Sequence, residues 1–349
     1  MKKTNRKRTS SARPAILCGA AVGSLALCLY LYTDILTTVI ARRRSRVLER
    51  LTKKKDAPID PDAEIIRHSE EVMRSLPTEA VSITARDGTP LRGHWYHAES
   101  PRRLLIMVHG WHSTWRINFG TSAPFYHGCG CELLFIEQRC HGESGGKMIS
   151  YGIKERFDVL DWLDYAQSVH PELPVYLCGL SMGASTVLMT AGEPVADRVT
   201  AVIADCGYTS PKEVVAASVK KRIGPATGPT MAAVNLNCRL RGGFGLDDYS
   251  TLTAMDRDTD IPVLFIHGDA DTLVPCRMSM ENYIACRAPK ELYIVHDAPH
   301  ATAYLKETEA YQARVKQFFA TWDHRLDRSN RAGEAGDNHP EAVAHTEME

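Results

Sequence analysis

Three side chains in this sequence have the types and order needed to activate a hydroxyl for attack on an acyl group: Ser181, Asp271 and His300. A serine hydroxyl is a poor nucleophile at neutral pH. It needs an imidazole to take its proton, and the imidazole needs a carboxylate to fix its tautomer. Ser181 lies in Gly179-Leu180-Ser181-Met182-Gly183, a G-x-S-x-G pattern that is weak evidence by itself. It gains weight from its flanks. Val175 to Cys178 before it is β-prone and apolar, and Ala184 to Ala191 after it reads as an unbroken helix. A strand, a sharp turn and a helix would lift the hydroxyl out of the fold at a helix N-terminus. His300 is the expected base, and His296 is a weaker candidate. Asp271 is the expected acid. Asp205 and, less favourably, Asp297 remain alternatives, and Asp269 is expected to shape a turn.

The tetrahedral intermediate of such a reaction carries a negative oxygen that needs preorganised donors. The backbone N–H of Met182, at the start of the helix after the serine, is one candidate. That of Trp111, in His109-Gly110-Trp111-His112-Ser113, is the other. His109 is expected to organise that loop. The Trp111 ring has two readings, lining an acyl pocket or packing on a cap.

These residues have to be placed by the elements before them. Apolar runs at Leu104–Val108, Leu133–Glu137, Val175–Gly179, Thr200–Asp205, Val263–His267 and Leu292–Val295 read as buried strands. Ala80–Ala85 and Leu91–Ala98 read as an antiparallel pair turned at Asp87-Gly88. Helical stretches separate the later runs, which predicts a mostly parallel sheet covered on both faces. Ligands bind at the carboxyl ends of such strands, and the polar and glycine-rich segments named above all follow strands. Between about 207 and 260 no strand is expected, only short helical pieces, and an insertion of that kind is usually a lid or cap. Ala303 to Trp322 should be a closing amphipathic helix, and the tail 326–349 should be disordered.

The net charge is zero but segregated. Residues 1–55 carry 14 Lys/Arg against Asp34 and Glu49, leaving an acidic body that does not suit nucleic acid. The basic N-terminus brackets an apolar run from Ala15 to Tyr32, continued more weakly from Ile35 to Ala41, which predicts a single membrane-spanning anchor within residues 1–41. A signal peptide cleaved after Val39-Ile40-Ala41 is the rival reading, and Leu25-Ala26-Leu27-Cys28 fits a lipoprotein site poorly. Residues 42–75 should form a charged stalk or leading helix, ahead of a catalytic domain over 76–325. Both flanks of the anchor are basic, so orientation is open, leaning extracytoplasmic. The ten cysteines suggest neither a disulfide framework nor a zinc site, and the chemistry needs no metal or organic cofactor.

Together these segments resemble the α/β-hydrolase superfamily, near its serine aminopeptidase-like and monoacylglycerol lipase- or lysophospholipase-like group, and bacterial membrane-anchored α/β-hydrolases. The resemblance covers roughly 75–325. It rests on Met107-Val108-His109-Gly110, Arg139 to Gly146 with Ser150-Tyr151-Gly152, Gly179 to Gly183, and Ala204-Asp205-Cys206. It rests further on Leu240-Arg241-Gly242-Gly243, Pro262 to Pro275, and Pro299-His300-Ala301. It implies an α/β-hydrolase fold with about eight strands and a short helical cap, and a Ser181–Asp271–His300 triad. One departure is Glu137, where the family usually has Asp two residues before the Arg139 of that turn. The expectation is a membrane-anchored serine hydrolase acting on a small acyl substrate, ester, thioester or amide, of unknown oligomeric state. Its rivals are an acyltransferase with the same triad and a catalytically inactive tethered binding protein.

Overall fold

Eight strands form one sheet in the order β1-β2-β4-β3-β5-β6-β7-β8. They are β1 (Glu79–Thr84), β2 (Pro90–Tyr96), β3 (Arg103–Val108), β4 (Cys131–Glu137), β5 (Val175–Leu180), β6 (Ala201–Asp205), β7 (Val263–Gly268) and β8 (Lys290–Val295). The computed structural model describes residues 31–42, 61–224 and 227–326. β1 pairs antiparallel with β2, and β2 antiparallel with β4; every later pairing is parallel. The sequence pattern accounts for this division. β3, β4, β5, β6 and β7 are buried at every position, as strands covered on both faces must be, whereas β1 and β2 alternate.

The two-residue period of a strand sorts its side chains between two cores. Leu104, Ile106 and Val108 of β3 join Val175 and Leu177 of β5 on one face, with the helices Glu155–Val169 and Met182–Ala191. Leu105 and Met107 join Tyr176 and Cys178 on the other, under Phe318 and Phe319 of helix Thr308–Trp322. Each such side chain contributes about 1.5–3 kcal/mol by leaving water. The cysteines described are free thiols, seven of the eight buried, and act as small apolar side chains.

Helices Pro211–Ile223 and Thr227–Asn237, a π-helical turn Cys238–Gly242 and helix Thr251–Met255 occupy the interval between β6 and β7. Ser210 starts the first: its hydroxyl accepts the Glu213 N–H at 3.1 Å, and Pro211 begins the helix with φ already fixed. The single closing helix expected from Ala303 to Trp322 is two, broken at Glu307 (φ −131°, ψ 58°). Of the expected stalk or leading helix over 42–75, residues 43–60 lie outside the described residues, and helix Pro61–Ser75 packs on the domain. It buries Met73 beside Trp115 and Phe119, and Asp62 pairs with Lys306 at 3.2 Å.

Most of the expected membrane span, and the tail beyond 326, lie outside the described residues. Of the apolar run, residues 31–41 are described. They are helical and pack on the body, with Leu36, Ile40 and Ala41 in the core and Thr33 and Thr37 buried. No helix among the described residues is long and apolar enough to cross a membrane.

Candidate active site

The turn between β5 and helix Met182–Ala191 has no room for side chains on its inner face. A Cβ on Gly183 would lie 1.8 Å from the Val108 carbonyl oxygen, and one on Gly179 would lie 2.3 Å from the Gly183 carbonyl oxygen. Both contacts are with backbone, so the two glycines are what allow the helix to pack on the sheet immediately after Ser181. Ser181 itself has φ 57° and ψ −117°, a conformation costly for any residue with a Cβ. Its N–H is held by the Asp205 carbonyl (2.8 Å), which ties the turn to β6.

His300, on the loop after β8, faces the serine: its Nε2 is 2.9 Å from Ser181 Oγ. Its Nδ1 is 2.5 Å from Asp271 Oδ2. Asp271 follows β7 and is buried. Its other oxygen accepts the N–H groups of Leu273 (2.8 Å) and Val274 (2.9 Å). Burial opposes its ionisation. Hydrogen bonds from His267 and His300, the charge of His300 and the Val274 N–H outweigh that and hold its carboxyl below the usual carboxylate range. Because Oδ2 only accepts, the proton of His300 sits on Nδ1, leaving Nε2 free to accept from the serine hydroxyl.

His267 is a part of this cluster to which the sequence reading gave no role. It is fully buried on β7, with Nε2 3.1 Å from Asp271 Oδ2 and 2.9 Å from the Val274 carbonyl oxygen. Both neighbours are acceptors, so Nε2 carries the proton and donates. Nδ1 sits 2.7 Å from Ser279 Oγ. A histidine four residues before the acid, at the end of a wholly apolar strand, was the available signal.

The other acidic candidates are placed elsewhere. Asp205 is buried behind the turn, 3.3 Å from Tyr311 Oη, and burial raises its pKa to about 6. Asp269 binds His296 Nδ1 (2.9 Å) and the Asp297 N–H (2.7 Å) at the surface, which shapes the loop that carries His300. Thus His296 and Asp297 pair with Asp269, not with Ser181.

Met182 is the first residue of its helix, so its N–H has no acceptor within that helix and adds to the positive end of the dipole beside Ser181. Trp111 lies on the loop after β3. Its ring lines the cavity, stacks on His112 at 4.0 Å, and donates from Nε1 to the Ile40 carbonyl oxygen (2.9 Å). His109 is fully buried, and burial lowers its pKa; Nδ1 bonds to the Gly110 oxygen (2.8 Å) while Nε2 accepts the Gln138 N–H (3.1 Å). It therefore fixes the loop as a neutral ring. Arg139 is likewise structural, bound through two nitrogens to Asp158 and through the third to Asp87. Glu137, the family departure, reaches across the turn to the Glu143 N–H (2.5 Å) and to His94 (3.1 Å), so its longer side chain still ties that turn together.

A cavity of about 350 Å³ opens at Ser181. Its wall is mostly apolar: Val214 and Val215 come from the first cap helix, Leu273 and Val274 lie beside the acid and Ile40 comes from residues 31–42, while Tyr151, Tyr208 and Ser218 add hydroxyl-bearing side chains. Among the described residues, two groups have the side chains to offer metal ligands, His97–Glu132–His170 and Asp269–His296–Asp297. In each, imidazole and carboxylate already pair with one another, at 2.6 and 2.9 Å.

Residues 99–261 match the family described as serine aminopeptidase, S33. The uncharacterized protein YqkD of Bacillus subtilis is 29% identical over 253 residues, covering 71% of this chain and 81% of that protein. The uncharacterized protein YfhR of Salmonella typhi is 27% identical over 250 residues, covering 67% and 79%. Among solved structures, the Pyrococcus furiosus esterase Pf2001 superposes with a TM-score of 0.59 at 23% identity, covering 78% of this chain and 97% of that one. Est1E of Butyrivibrio proteoclasticus, with bound ferulic acid, gives 0.53 at 19% identity, covering 69% and 98%.

Proposed function

The chain belongs to the α/β-hydrolase superfamily, and from that premise we propose that it is a membrane-tethered serine hydrolase that cleaves an ester, thioester or amide through an acyl-enzyme. The observation that carries this reading is the unbroken relay from Ser181 Oγ through His300 to Asp271, at 2.9 and 2.5 Å, opening on an apolar cavity. Ser181 Oγ attacks the substrate carbonyl as His300 Nε2 takes its proton. The charge that develops on the carbonyl oxygen is met by the Met182 and Trp111 N–H groups, a contribution of about 3–4 kcal/mol per donor in comparable sites. Asp271 holds the Nδ1–H of His300 and stabilises the imidazolium. His300 then protonates the leaving alcohol, thiol or amine, and the acyl group stays on Ser181 Oγ. Water, deprotonated by His300, attacks the acyl-enzyme and releases the acid. The apolar run from Ala15 to Tyr32 between basic flanks supports the tether.

A fluorophosphonate probe should label the full-length protein in membranes, and Ser181→Ala should abolish both labelling and turnover of p-nitrophenyl esters. An active wild type that resists the probe, or Ser181→Ala turning over at the wild-type rate, overturns the reading. Added alcohol or amine acceptors give a further check: ester or amide formation without release of free acid would make the protein an acyltransferase.

A further inference from the structure

The N-terminal helix 31–41 does more than lead into the domain. The carbonyl oxygen of Ile40 accepts two side-chain hydrogen bonds, from Trp111 Nε1 (2.9 Å) and Tyr151 Oη (2.6 Å). The next carbonyl, Ala41, accepts the Ile149 N–H (2.6 Å), and that of Arg42 accepts from His112 Nε2 (2.8 Å). Further back, Asp34 pairs with Arg241 and Thr33 meets Asn237 (3.5 Å), both at the end of the cap. The segment is thus fixed to the oxyanion loop, to the loop after β4 and to the cap together. Pinned this way, Ile40 presents its side chain to the same cavity as Ser181 and is only 3% exposed.

We propose that residues 31–42 are a substrate-binding element of the site, and that Ile40 is the wall that sets how long an aliphatic acyl chain the enzyme accepts. This rests on the serine-hydrolase reading above. The rest of the cavity points to the same substrate class. Val214, Val215, Leu273 and Val274 offer an acyl chain only hydrocarbon, and the volume is far more than an acetyl group fills. An aliphatic carboxylic ester or thioester fits this lining better than an aminoacyl group, whose ammonium would be buried there without a carboxylate partner. Cleavage after Ala41, as a signal peptidase would make it, would remove the Ile40 wall, so the active form retains this segment.

The test uses the full-length protein with p-nitrophenyl esters from acetate to dodecanoate, reading kcat/KM for each chain length. Ile40→Trp narrows the cavity and should lower the long-to-short ratio at least tenfold, within the roughly 10–200-fold that a single misfitted methylene costs in an apolar pocket. Ile40→Ala should move the optimum to longer or bulkier acyl groups. A side chain that only supports the fold would lower Tm and scale every ester alike, leaving the ratio unmoved. If Ile40→Trp fails to fold, Ile40→Ala alone decides. A wild-type chain-length profile in a folded variant whose Ser181 still takes the fluorophosphonate overturns this proposal and spares the hydrolase reading. Absence of labelling in the wild type overturns both.

Discussion

Replacing Asp271 with Asn tests the relay at its most informative point, because it alters hydrogen-bond polarity and little else. In the wild type, Oδ1 accepts two backbone N–H groups and Oδ2 accepts from both His267 and His300. An asparagine can satisfy the backbone pair only by keeping its oxygen there, which turns its NH₂ toward the two rings. That group then donates to His300 Nδ1 and forces the ring proton onto Nε2, the atom 2.9 Å from Ser181 Oγ that has to accept. It also sets a donor against the Nε2–H of His267. Flipping the amide spares the rings but opposes NH₂ to two N–H groups. Loss of the correct tautomer in a serine triad costs about 10⁴-fold in kcat, or about 5.4 kcal/mol at 1.36 kcal/mol per tenfold. Asp271→Asn should therefore lose between about 10³ and 10⁴ in kcat, with KM changed far less. The assay is steady-state turnover of a p-nitrophenyl ester, beside a thermal melt to show that the variant is folded. A folded Asp271→Asn within tenfold of the wild type would refute the assignment.

Ser181→Gly should be more stable than Ser181→Ala by about 1 kcal/mol, since glycine relieves the positive φ at that position; equal melting temperatures would show the turn to be unstrained. Gly183→Ala should cost at least about 3 kcal/mol or yield no soluble protein, because its Cβ would meet the Val108 backbone oxygen; a native-like melt would contradict the close packing of helix on sheet. Asp205→Asn should stabilise the protein in a pH-dependent way. The folded pKa near 6 exceeds the unfolded value, so the native state binds the extra proton and loses stability as pH rises from about 4 through 6. The difference, about 3 kcal/mol on a shift of roughly two units, should be present at pH 7.5 and absent at pH 4 in urea melts. A gain of equal size at both pH values would show that Asp205 is not protonated by burial.

Strand positions were legible because a parallel strand covered on both faces leaves a plain mark: Leu104–Val108 and Val175–Gly179 contain nothing polar enough to face water. The order of Ser181, Asp271 and His300 could be read for a similar reason: Ser181 and Asp271 follow such strands, His300 follows the half-buried edge strand β8, and the structure brings these three together. Other features leave no local mark. His267 acts through a carboxylate four residues away and looks, in sequence, like the last residue of an apolar run. The break at Glu307 falls inside an unbroken helical pattern, and the contact made there is tertiary: the Glu307 carboxylate accepts from Tyr293 Oη at 2.6 Å.

The N-terminal run shows the deeper limit. Hydrophobicity reports that a segment leaves water, and does not say whether lipid or protein receives it. Leu36, Ile40 and Ala41 have the composition of an anchor, yet they are received by the catalytic domain. The polar residues among them carried the distinction. A threonine buried in a helix satisfies its hydroxyl on the preceding turn, as Thr37 does on the Thr33 carbonyl at 2.7 Å, so it costs little against either lipid or protein. Asp34 does not have that freedom. A carboxylate in the middle of a bilayer-embedded helix would be expensive, and here it is met by Arg241 of the cap. Asp34→Leu should therefore weaken the seating of this helix on the cap while making the apolar run a better span. If residues 31–42 belong to the active site, that substitution should alter acyl-chain selectivity even as it improves membrane retention. A change in retention alone would assign the segment to the bilayer.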